Sequence, residues 1–217
     1  MRVQTMDSLQ STPAGGLASP AAARNAGAIL AVLAAHLPAR GAALEVAAGS
    51  GQHAVAFAAA LPGIDWTPSD PSAEARASIA AWRDRAVLPN LSAPIALDAA
   101  DAATWPAPAP DAAFDAVICI NMIHISPWSA TEGLMAGAGR VLANPGGLLA
   151  LYGPFREAET ALAPSNAAFD DSLKARDPAW GLRDRAEVAA LARSHGLQPT
   201  RRIAMPANNL MLLFRRA

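Results

Sequence analysis

The sequence is poor in several reactive residue types: among its 217 residues Cys119 is the only cysteine, Tyr152 the only tyrosine and Lys174 the only lysine. A single cysteine excludes an intrachain disulfide and any cysteine-based zinc site, which is typical of proteins from a reducing cytoplasm. The formal net charge is only −1, and no basic cluster is long enough to follow a phosphate backbone, so nucleic acid is not an expected partner. Basic residues that are almost all arginine, together with abundant alanine, suggest a GC-rich bacterial genome.

Long hydrophobic runs are also missing. The most apolar stretch, "AGAILAVLAAHLP", is shorter than the roughly 20 residues needed to cross a bilayer and follows Arg24 and Asn25. The first 20 residues have no apolar core of the kind a signal peptide carries. We therefore expect a soluble, cytoplasmic protein that does not bind membranes. With 53% hydrophobic residues, the chain is long enough for one well-buried domain.

Strands and helices alternate over most of the chain. Residues 1–18 are rich in Ser, Thr, Gly and Pro, which predicts a flexible tail before a domain spanning 19–217. Ser19 before Pro20 is a typical start for a helix. Short apolar strands then alternate with helical patterns, which predicts a parallel sheet covered by helices on both faces. The expected strands are 42–47, 64–69, 93–98, 114–120 and 148–155, and the expected helices are 52–61, 72–86, 128–142 and 187–195.

The end of the chain departs from this alternation. Residues 156–183 mix polar and aromatic residues, and we interpret them as a helical insertion over the sheet that forms a lid together with the leading helix. The runs 198–206 and 208–216 are too close together for a crossover helix, so they predict a hairpin with an antiparallel last strand. The fold class we predict is therefore α/β and Rossmann-like, with a mostly parallel seven-stranded sheet.

A glycine-rich loop follows the first of these strands, in "ALEVAAGSGQHAV". Gly49 and Gly51 allow a tight turn and a close approach of backbone to a ligand at the start of a helix. With Ala54 the loop also satisfies the G-x-G-x-x-G/A pattern of dinucleotide sites, and Asp70 lies at the right distance for a ribose. An NAD-dependent oxidoreductase is therefore one alternative.

Glu45 favours a different ligand, because an acid within the strand would repel a pyrophosphate. The pattern acid-x-x-x-G-x-G resembles motif I of class I S-adenosylmethionine-dependent methyltransferases. The resemblance implies that Glu45 holds the loop in shape and reaches towards the methionine amino group, and that Gly49, Ser50 and Gly51 contact the cofactor. The sequence departs from the motif at Ala47, where many members have a glycine.

Later landmarks agree with this resemblance. In "PSDPS", Asp70 with Pro71 would accept the ribose hydroxyls, and in "IALDAAD", Asp98 and the N–H of Ala99 would hold the adenine. The run "VICINMIHI" is similar to the N-x-[LI]-H sequence of many small-molecule methyltransferases. It implies that Asn121 and Met122 lie beside the methionine moiety.

Longer strings narrow the resemblance. The segments "SPAAARN", "GSGQHA", "NMIHISPWSATEGLMAGAGR", "LYGPF", "SNAAFDDSLKARDPAWGLRD" and "MPANNL" are similar to the methyltransferase-like protein 26 family, over about residues 19–215. That family implies a class I methyltransferase fold and an S-adenosylmethionine site, and it leaves the methyl acceptor open.

Several polar residues are candidates for the cofactor or the acceptor. Arg24, Asn25 and His53 are candidates for the cofactor, and Gln52 for the acceptor; satisfying helix-start backbone groups is the alternative for Gln52 and His53. His124 is a candidate base or acceptor-orienting group because imidazole titrates near neutrality, the alternative being a loop hydrogen bond. The only tyrosine is a second catalytic candidate. The remaining acceptor-pocket candidates are Trp128, Phe155, Asn166, Asn208 and Asn209.

We expect no metal, because Asp170, Asp171, Asp177 and His195 show no ligand spacing and fall at expected helix-surface positions. The sequence therefore predicts a methyltransferase that uses S-adenosylmethionine, releases S-adenosylhomocysteine, and acts on a small molecule as a monomer or homodimer. A second alternative is a non-catalytic, regulatory S-adenosylmethionine-binding module.

Overall fold

The computed structural model describes residues 10–12, 15–107 and 113–217. Its first element is a short antiparallel hairpin of β1 (Gln10–Ser11) and β2 (Leu17–Ala18). The flexible tail expected over residues 1–18 therefore differs from the structure at residues 10–12 and 15–18. The sequence signal missed this hairpin because its partner is distant: the Trp82 indole N–H donates to the Leu17 carbonyl at 2.8 Å. The rest of the expected tail lies outside the described residues.

Helix α1 (Pro20–His36) begins where the sequence predicts. The Ser19 hydroxyl caps it by accepting a hydrogen bond from the N–H of Ala22, and proline occupies the first turn, where no N–H is needed.

The strands of the central sheet alternate with helices along the chain. They are β3 (Gly41–Val46), β4 (Ile64–Pro68), β5 (Ala116–Ile120), β6 (Leu148–Gly153), β7 (Leu197–Met205) and β8 (Asn209–Arg216). Their order in the sheet is β4-β3-β5-β6-β8-β7. The first four strands in this order are parallel, whereas β8 runs antiparallel to both neighbours. The predicted α/β class, the mostly parallel sheet and the antiparallel end are confirmed.

The sheet has six strands in the described part of the chain, where seven were expected. Residues 91–95, which overlap the predicted strand 93–98, run beside residues 66–69 with only two isolated parallel bridges, Trp66 to Leu91 and Ser69 to Ile95. Pro68 and Pro94 both lack the N–H that a regular ladder needs, so the segment lies in the seventh-strand position without continuous pairing.

Helices cover both faces of the sheet, each over its own hydrophobic cluster. On one face, α1 and α2 (Gln52–Ala60) pack on side chains such as Ala43, Trp66 and Ile118. On the other, α4 (Trp128–Val141) and α6 (Arg185–Ser194) pack on Leu44, Val117 and Leu149. Helix α3 (Ala73–Ala86) packs beside α2, and α5 (Pro164–Arg176) lies within the 156–183 insertion. None of the described helices is long and apolar enough to cross a membrane.

Candidate functional site

The predicted site residues gather at one edge of the sheet. The parallel strands β3, β4, β5 and β6 all end there, and the turn between β7 and β8 reaches the same edge because Leu210 pairs with Gly153. This is the edge at which open α/β sheets bind ligands.

The glycine loop between β3 and α2 turns through left-handed backbone conformations. The φ angles of Ala47, Gly49 and Gly51 are 57°, 58° and 87°. A Cβ atom at Gly51 would lie 2.8 Å from the Cα of Ile79, so this glycine is required by packing. A Cβ at Gly49 would meet nothing within 4 Å, so the space above Gly49 is open to a ligand.

Glu45 lies beneath this loop and is 1% exposed. Its carboxylate accepts a hydrogen bond from the Trp66 indole at 2.8 Å. Burial raises the pKa of Glu45 to about 7, against the opposing effect of that bond and with a further contribution from the charge of Asp70. The Glu45 carboxyl group therefore changes its charge near neutral pH, at the end of the strand that carries the loop.

Asp70 follows β4 and holds the loop from the side. One carboxylate oxygen accepts the N–H of Gly49 at 3.0 Å, and the other accepts the N–H of Ser72 at 2.9 Å. Each carboxylate oxygen has a second lone pair, so these bonds leave Asp70 with capacity to accept hydroxyl groups. The neighbouring Pro71 carbonyl accepts a hydrogen bond from Arg76 at 2.7 Å.

Asp98 lies in an exposed turn at the same edge. Its carboxylate accepts the N–H of Ala100 at 2.9 Å, and its carbonyl accepts the hydroxyl of Thr104 at 3.0 Å. The next residue, Ala99, is buried, and its carbonyl accepts a hydrogen bond from the Trp105 indole at 3.2 Å. This turn presents a carboxylate to solvent beside a fixed backbone segment.

Asn25 joins two other candidates on the α1 and α2 face. Its Oδ1 atom lies 2.7 Å from Nε2 of His53, and because an amide oxygen only accepts, that nitrogen must carry the proton. Burial lowers the pKa of His53 to about 4, so the ring is neutral near pH 7. Burial also raises the pKa of Tyr152, an effect that its hydrogen bond with Asn25 partly offsets. The three side chains form one polar cluster that is uncharged near pH 7, in which His53 and Tyr152 are buried and Asn25 is half-buried.

Arg24 and Gln52 have different surroundings: the Arg24 side chain is exposed on α1, whereas the Gln52 side chain is bonded to the glycine loop. The Gln52 side-chain oxygen accepts the N–H of Ser19 and the hydroxyl of Ser50, so it links the start of α1 to the glycine loop. The structure thus gives Gln52 the backbone-satisfying role that was the alternative to acceptor binding.

His124 is fully enclosed, with no exposed surface. Neither of its ring nitrogens has a hydrogen-bond partner among the described residues. Burial lowers the pKa of His124 to about 3, and the nearby Arg183 charge acts in the same direction, whereas the Gly181 backbone beside the ring and the Asp170 charge oppose them. The ring packs edge-on against Phe155 at 4.9 Å and directly beside Gly153, where a Cβ would lie 2.5 Å from Nε2. His124 is therefore a neutral imidazole with unused hydrogen-bonding capacity.

Asn121 and Met122 precede this histidine. Asn121 has a left-handed φ of 62°, and its N–H donates to the Tyr152 carbonyl at 2.8 Å. Met122 is buried, and its carbonyl accepts the hydroxyl of Ser126 at 2.8 Å. The backbone thus connects the end of β5 to the end of β6.

The other acceptor-pocket candidates hold the insertion in place. The Asn166 amide, on α5, donates to the carbonyl of Asn208 at 2.9 Å, and the Asn208 amide donates to the Ser165 hydroxyl at 3.2 Å. Asn209 bonds within its own turn, to the Pro206 carbonyl at 3.0 Å. The Asn209 side chain thus supports its own turn, whereas Asn208 links the hairpin to α5.

Trp128, at the start of α4, packs under a cation. The Arg183 guanidinium lies 5.6 Å from the indole ring centroid. It also donates to the carbonyls of Ile123 and Ser126, at 2.9 and 2.6 Å. Arg183 therefore fastens the end of the insertion to the loop that carries His124.

Asp170 corrects one sequence-based expectation, because it is 1% exposed and does not lie on a helix surface. Its carboxylate accepts from Arg156, from Lys174 at 2.7 Å, and from the N–H of Leu182 at 2.7 Å. Burial alone would raise the pKa of Asp170, but these donors outweigh it and the net pKa is lowered. Among the described residues, no group of three or more His, Cys, Asp or Glu side chains is placed to hold a metal ion.

The sequence did not reveal three side chains that hydrogen-bond directly to site residues or to the loops that carry them. These side chains, which are distant in sequence from their partners, are Trp66, Ser78 and Arg183. Only for Trp66 was there a signal, since the alternation of Ile64, Trp66 and Pro68 places it on a buried face of β4.

Solved structures share this arrangement of strands and helices. The mitomycin 7-O-methyltransferase MmcR matches with a TM-score of 0.77 at 17% identity, over 92% of this chain and 55% of its own. An O-methyltransferase family protein from Burkholderia thailandensis matches with a TM-score of 0.75 at 16% identity, over 91% and 57%. CalO1, a methyltransferase in calicheamicin biosynthesis solved with S-adenosylhomocysteine, matches at 0.68 and 18%, over 89% and 54%. The chain thus spans less than two thirds of the length of each of these proteins.

The fold and the position of the glycine loop define the class: this chain has the class I methyltransferase fold. A family profile then places it more narrowly. Residues 17–216 match the family described as "Protein of unknown function (DUF938)", and the chain belongs to that family.

Proposed function

We propose that this protein is an S-adenosylmethionine-dependent methyltransferase that acts on a small molecule. The observation that carries the proposal is the open space above Gly49, bounded by the loop over Glu45 and by the side of Asp70. S-adenosylmethionine carries a sulfonium and an ammonium group, and a carboxyl group with a pKa of about 7 ionises readily beside a cation. In this proposal Asp70 accepts the ribose hydroxyls, and Asp98 with the N–H of Ala99 holds the adenine.

The acceptor side rests on His124 and Tyr152. When bound, the cofactor supplies an activated methyl group, so the protein mainly positions the acceptor and excludes water. His124 is neutral at pH 7, and its unpaired nitrogens can accept from or donate to an acceptor group. Its lowered pKa makes it a weak base, which favours an orienting role over proton abstraction.

The insertion must move for an acceptor to reach this ring. The Gly181 N–H donates to the His124 carbonyl at 3.0 Å, and Arg183 bonds the neighbouring carbonyls. We therefore assign residues 156–183 the role of a lid over the acceptor. The resemblance to methyltransferase-like protein 26, a cytoplasmic location in a bacterium, and a monomeric or homodimeric state belong to the same proposal.

A pair of glycine substitutions tests the cofactor site. Gly49→Ala places a methyl group in the proposed cofactor space, and Gly146→Ala is its matched control, because Gly146 also has a positive φ and open surroundings but lies at the opposite edge. Both variants should lose about 1 kcal/mol of stability from the left-handed backbone. Only Gly49→Ala should bind S-adenosylhomocysteine at least tenfold more weakly in calorimetric titration. Equal affinities for the two variants would contradict the proposed site.

One observation favours a second candidate function. His124 is wholly enclosed, as would suit a regulatory S-adenosylmethionine-binding module whose acceptor space is closed. Incubation of the protein with methyl-labelled cofactor and cell extract distinguishes the two, because only an enzyme yields a labelled small product. In the enzyme, His124→Ala should lose turnover while keeping cofactor affinity. An NAD-dependent activity is disfavoured by Glu45 and by the antiparallel final strand.

A further inference from the structure

Ser78 connects the N-terminal hairpin to the glycine loop. This α3 residue is 2% exposed, and its hydroxyl group both accepts and donates a hydrogen bond. It accepts the N–H of Leu17 at 2.7 Å and donates to the carbonyl of Ser50 at 2.7 Å. A hydroxyl group has only one proton, so this proton is directed to the loop while the hairpin occupies a lone pair. Such chained hydrogen bonds polarise and strengthen each other.

The same helix holds the hairpin at a second point. The Trp82 indole N–H donates to the Leu17 carbonyl at 2.8 Å. Gly16 lies against the indole, where a Cβ would come within 2.7 Å of Nε1. Both backbone groups of Leu17 are therefore bonded to α3, one of them through the hydroxyl that also holds the loop.

Ser50 is fixed from the other side as well. Its hydroxyl donates to the Gln52 side-chain oxygen at 3.3 Å, and that oxygen also accepts the N–H of Ser19. The next loop residue, Gly51, packs on Ile79. The groups that set the conformation of residues 50–51 are thus the same groups that attach residues 17–19.

We propose that Ser78 is a positioning residue for the glycine loop, and that attachment of residues 10–12 and 15–19 is coupled to binding of the cofactor. This inference rests on the proposed function, since the loop is the proposed cofactor site. Coupling between two sites is reciprocal: if the attached segment stabilises the binding loop, the bound cofactor must stabilise the attachment by the same factor.

Calorimetric titration with S-adenosylhomocysteine tests the first half of the proposal. Ser78→Ala should raise the Kd about tenfold, equivalent to about 1.4 kcal/mol. Trp82→Phe, which removes only the bond to the hairpin, should raise it about threefold. Thr200→Val is the matched control, because the Thr200 hydroxyl also donates to a backbone carbonyl, that of Leu213 at 3.0 Å, away from the loop. Its Kd should stay within twofold of the wild-type value.

Amide hydrogen exchange tests the reciprocal half in the wild-type protein, independently of how well the variants fold. S-adenosylhomocysteine should slow exchange at the amides of Leu17 and Ser19 at least fivefold. In Ser78→Ala the response is measured at Ser19, whose N–H is bonded to Gln52 and therefore keeps its acceptor. The slowing at Ser19 should fall at least twofold, whereas a purely structural serine would lower stability and leave this response intact.

The outcomes separate the two proposals. An unchanged Kd in a folded Ser78→Ala protein, or no response of Leu17 in the wild-type protein, overturns the coupling alone. If Ser78→Ala does not fold, the Kd of Trp82→Phe and the wild-type exchange data decide. Absence of S-adenosylhomocysteine binding to the wild-type protein overturns the proposed function and this inference with it.

Discussion

The glycine-loop region (residues 45–72) and the lid region (156–183) meet at the same edge of the sheet but are held in different ways. The first is stabilised by hydrogen bonds from its own backbone N–H groups, such as the bond from Gly49 to the Asp70 carboxylate. It also contains Glu45, a buried carboxyl group with a pKa of about 7. The second is stabilised by ion pairs, including Glu157 with Arg202, 45 residues apart. A region held by its own backbone suits a ligand site that stays formed, and a region held by separable ion pairs suits one that opens.

Asp70→Ala should have the largest effect, a loss of cofactor binding by the loop region. It removes the acceptor for the N–H groups of Gly49 and Ser72 as well as the proposed ribose contact. We expect the Kd for S-adenosylhomocysteine to rise at least 100-fold and the ligand-induced increase in Tm to disappear. Asp184→Ala is the control, because Asp184 also accepts two backbone N–H groups, at the start of α6. A wild-type ligand response in Asp70→Ala would refute the ribose assignment.

Asp170→Ala should destabilise the lid region and leave cofactor binding by the loop region almost unchanged. It removes the shared acceptor of Arg156, Lys174 and the Leu182 N–H, which we expect to lower the free energy of unfolding by about 2–3 kcal/mol. The Kd for S-adenosylhomocysteine should change less than threefold. Urea denaturation and calorimetry measure the two quantities, and Asp171→Ala, an exposed neighbour on α5, is the control. A large loss of cofactor affinity in Asp170→Ala would mean that the two regions are not separable.

The pH dependence of stability should differ in sign between the regions. The raised pKa of Glu45 gives stability below its unfolded value, which is lost as pH rises through about 7. The lowered pKa of His124 gives stability above about 6.5, which is lost as pH falls towards about 3. Between about pH 4.5 and 6.5 the two contributions oppose each other, and above about pH 7 neither changes with pH. Thermal unfolding between pH 4.5 and 8.5 should therefore show Tm rising more steeply with pH in Glu45→Gln than in the wild-type protein, and rising less or falling in His124→Asn.

His124→Asn should not remove the whole of the rise in stability with pH that the histidines produce. His53, with a pKa lowered to about 4, contributes in the same direction. Identical pH profiles in the wild-type protein and both variants would show that neither group controls stability in this range.

Ala47→Gly should give the smallest effect. A left-handed residue costs about 1 kcal/mol when it carries a Cβ, so glycine at this position should raise Tm by about 2–4 °C. Val87→Gly is the comparison, because Val87 has a φ of 49° at the end of α3, away from the loop. Both changes should stabilise, and neither should weaken cofactor binding. A lower Tm for Ala47→Gly would show that the Ala47 methyl group contributes packing that outweighs its backbone strain.

The same contrast explains how much the sequence could predict. The fold class and the positions of Glu45, Gly49 and Asp70 were readable because strand, loop and helix follow one another within about 30 residues of chain. The irregular segment at 93–98 was mistaken for a strand because its apolar pattern does not show which partner bonds are lost at Pro68 and Pro94.

The supporting contacts could not be predicted, for a physical reason. Asp170 looks like any helix-surface acid until Arg156 and Lys174 converge on it, and Ser78 looks like any helical serine until Leu17 and Ser50 flank it. These contacts depend on tertiary placement across many residues. The roles of His124 and Tyr152 stay predictions.

The most direct test of the account is calorimetric titration of the wild-type protein and Glu45→Gln with S-adenosylmethionine at pH 6 and pH 8, with NAD titrated in parallel. We predict that the wild-type protein binds S-adenosylmethionine more tightly at pH 8, because ionised Glu45 then faces a cationic ligand, and that Glu45→Gln loses this pH dependence. NAD should not bind. Binding of NAD alone, or no binding of S-adenosylmethionine at either pH, would contradict the account.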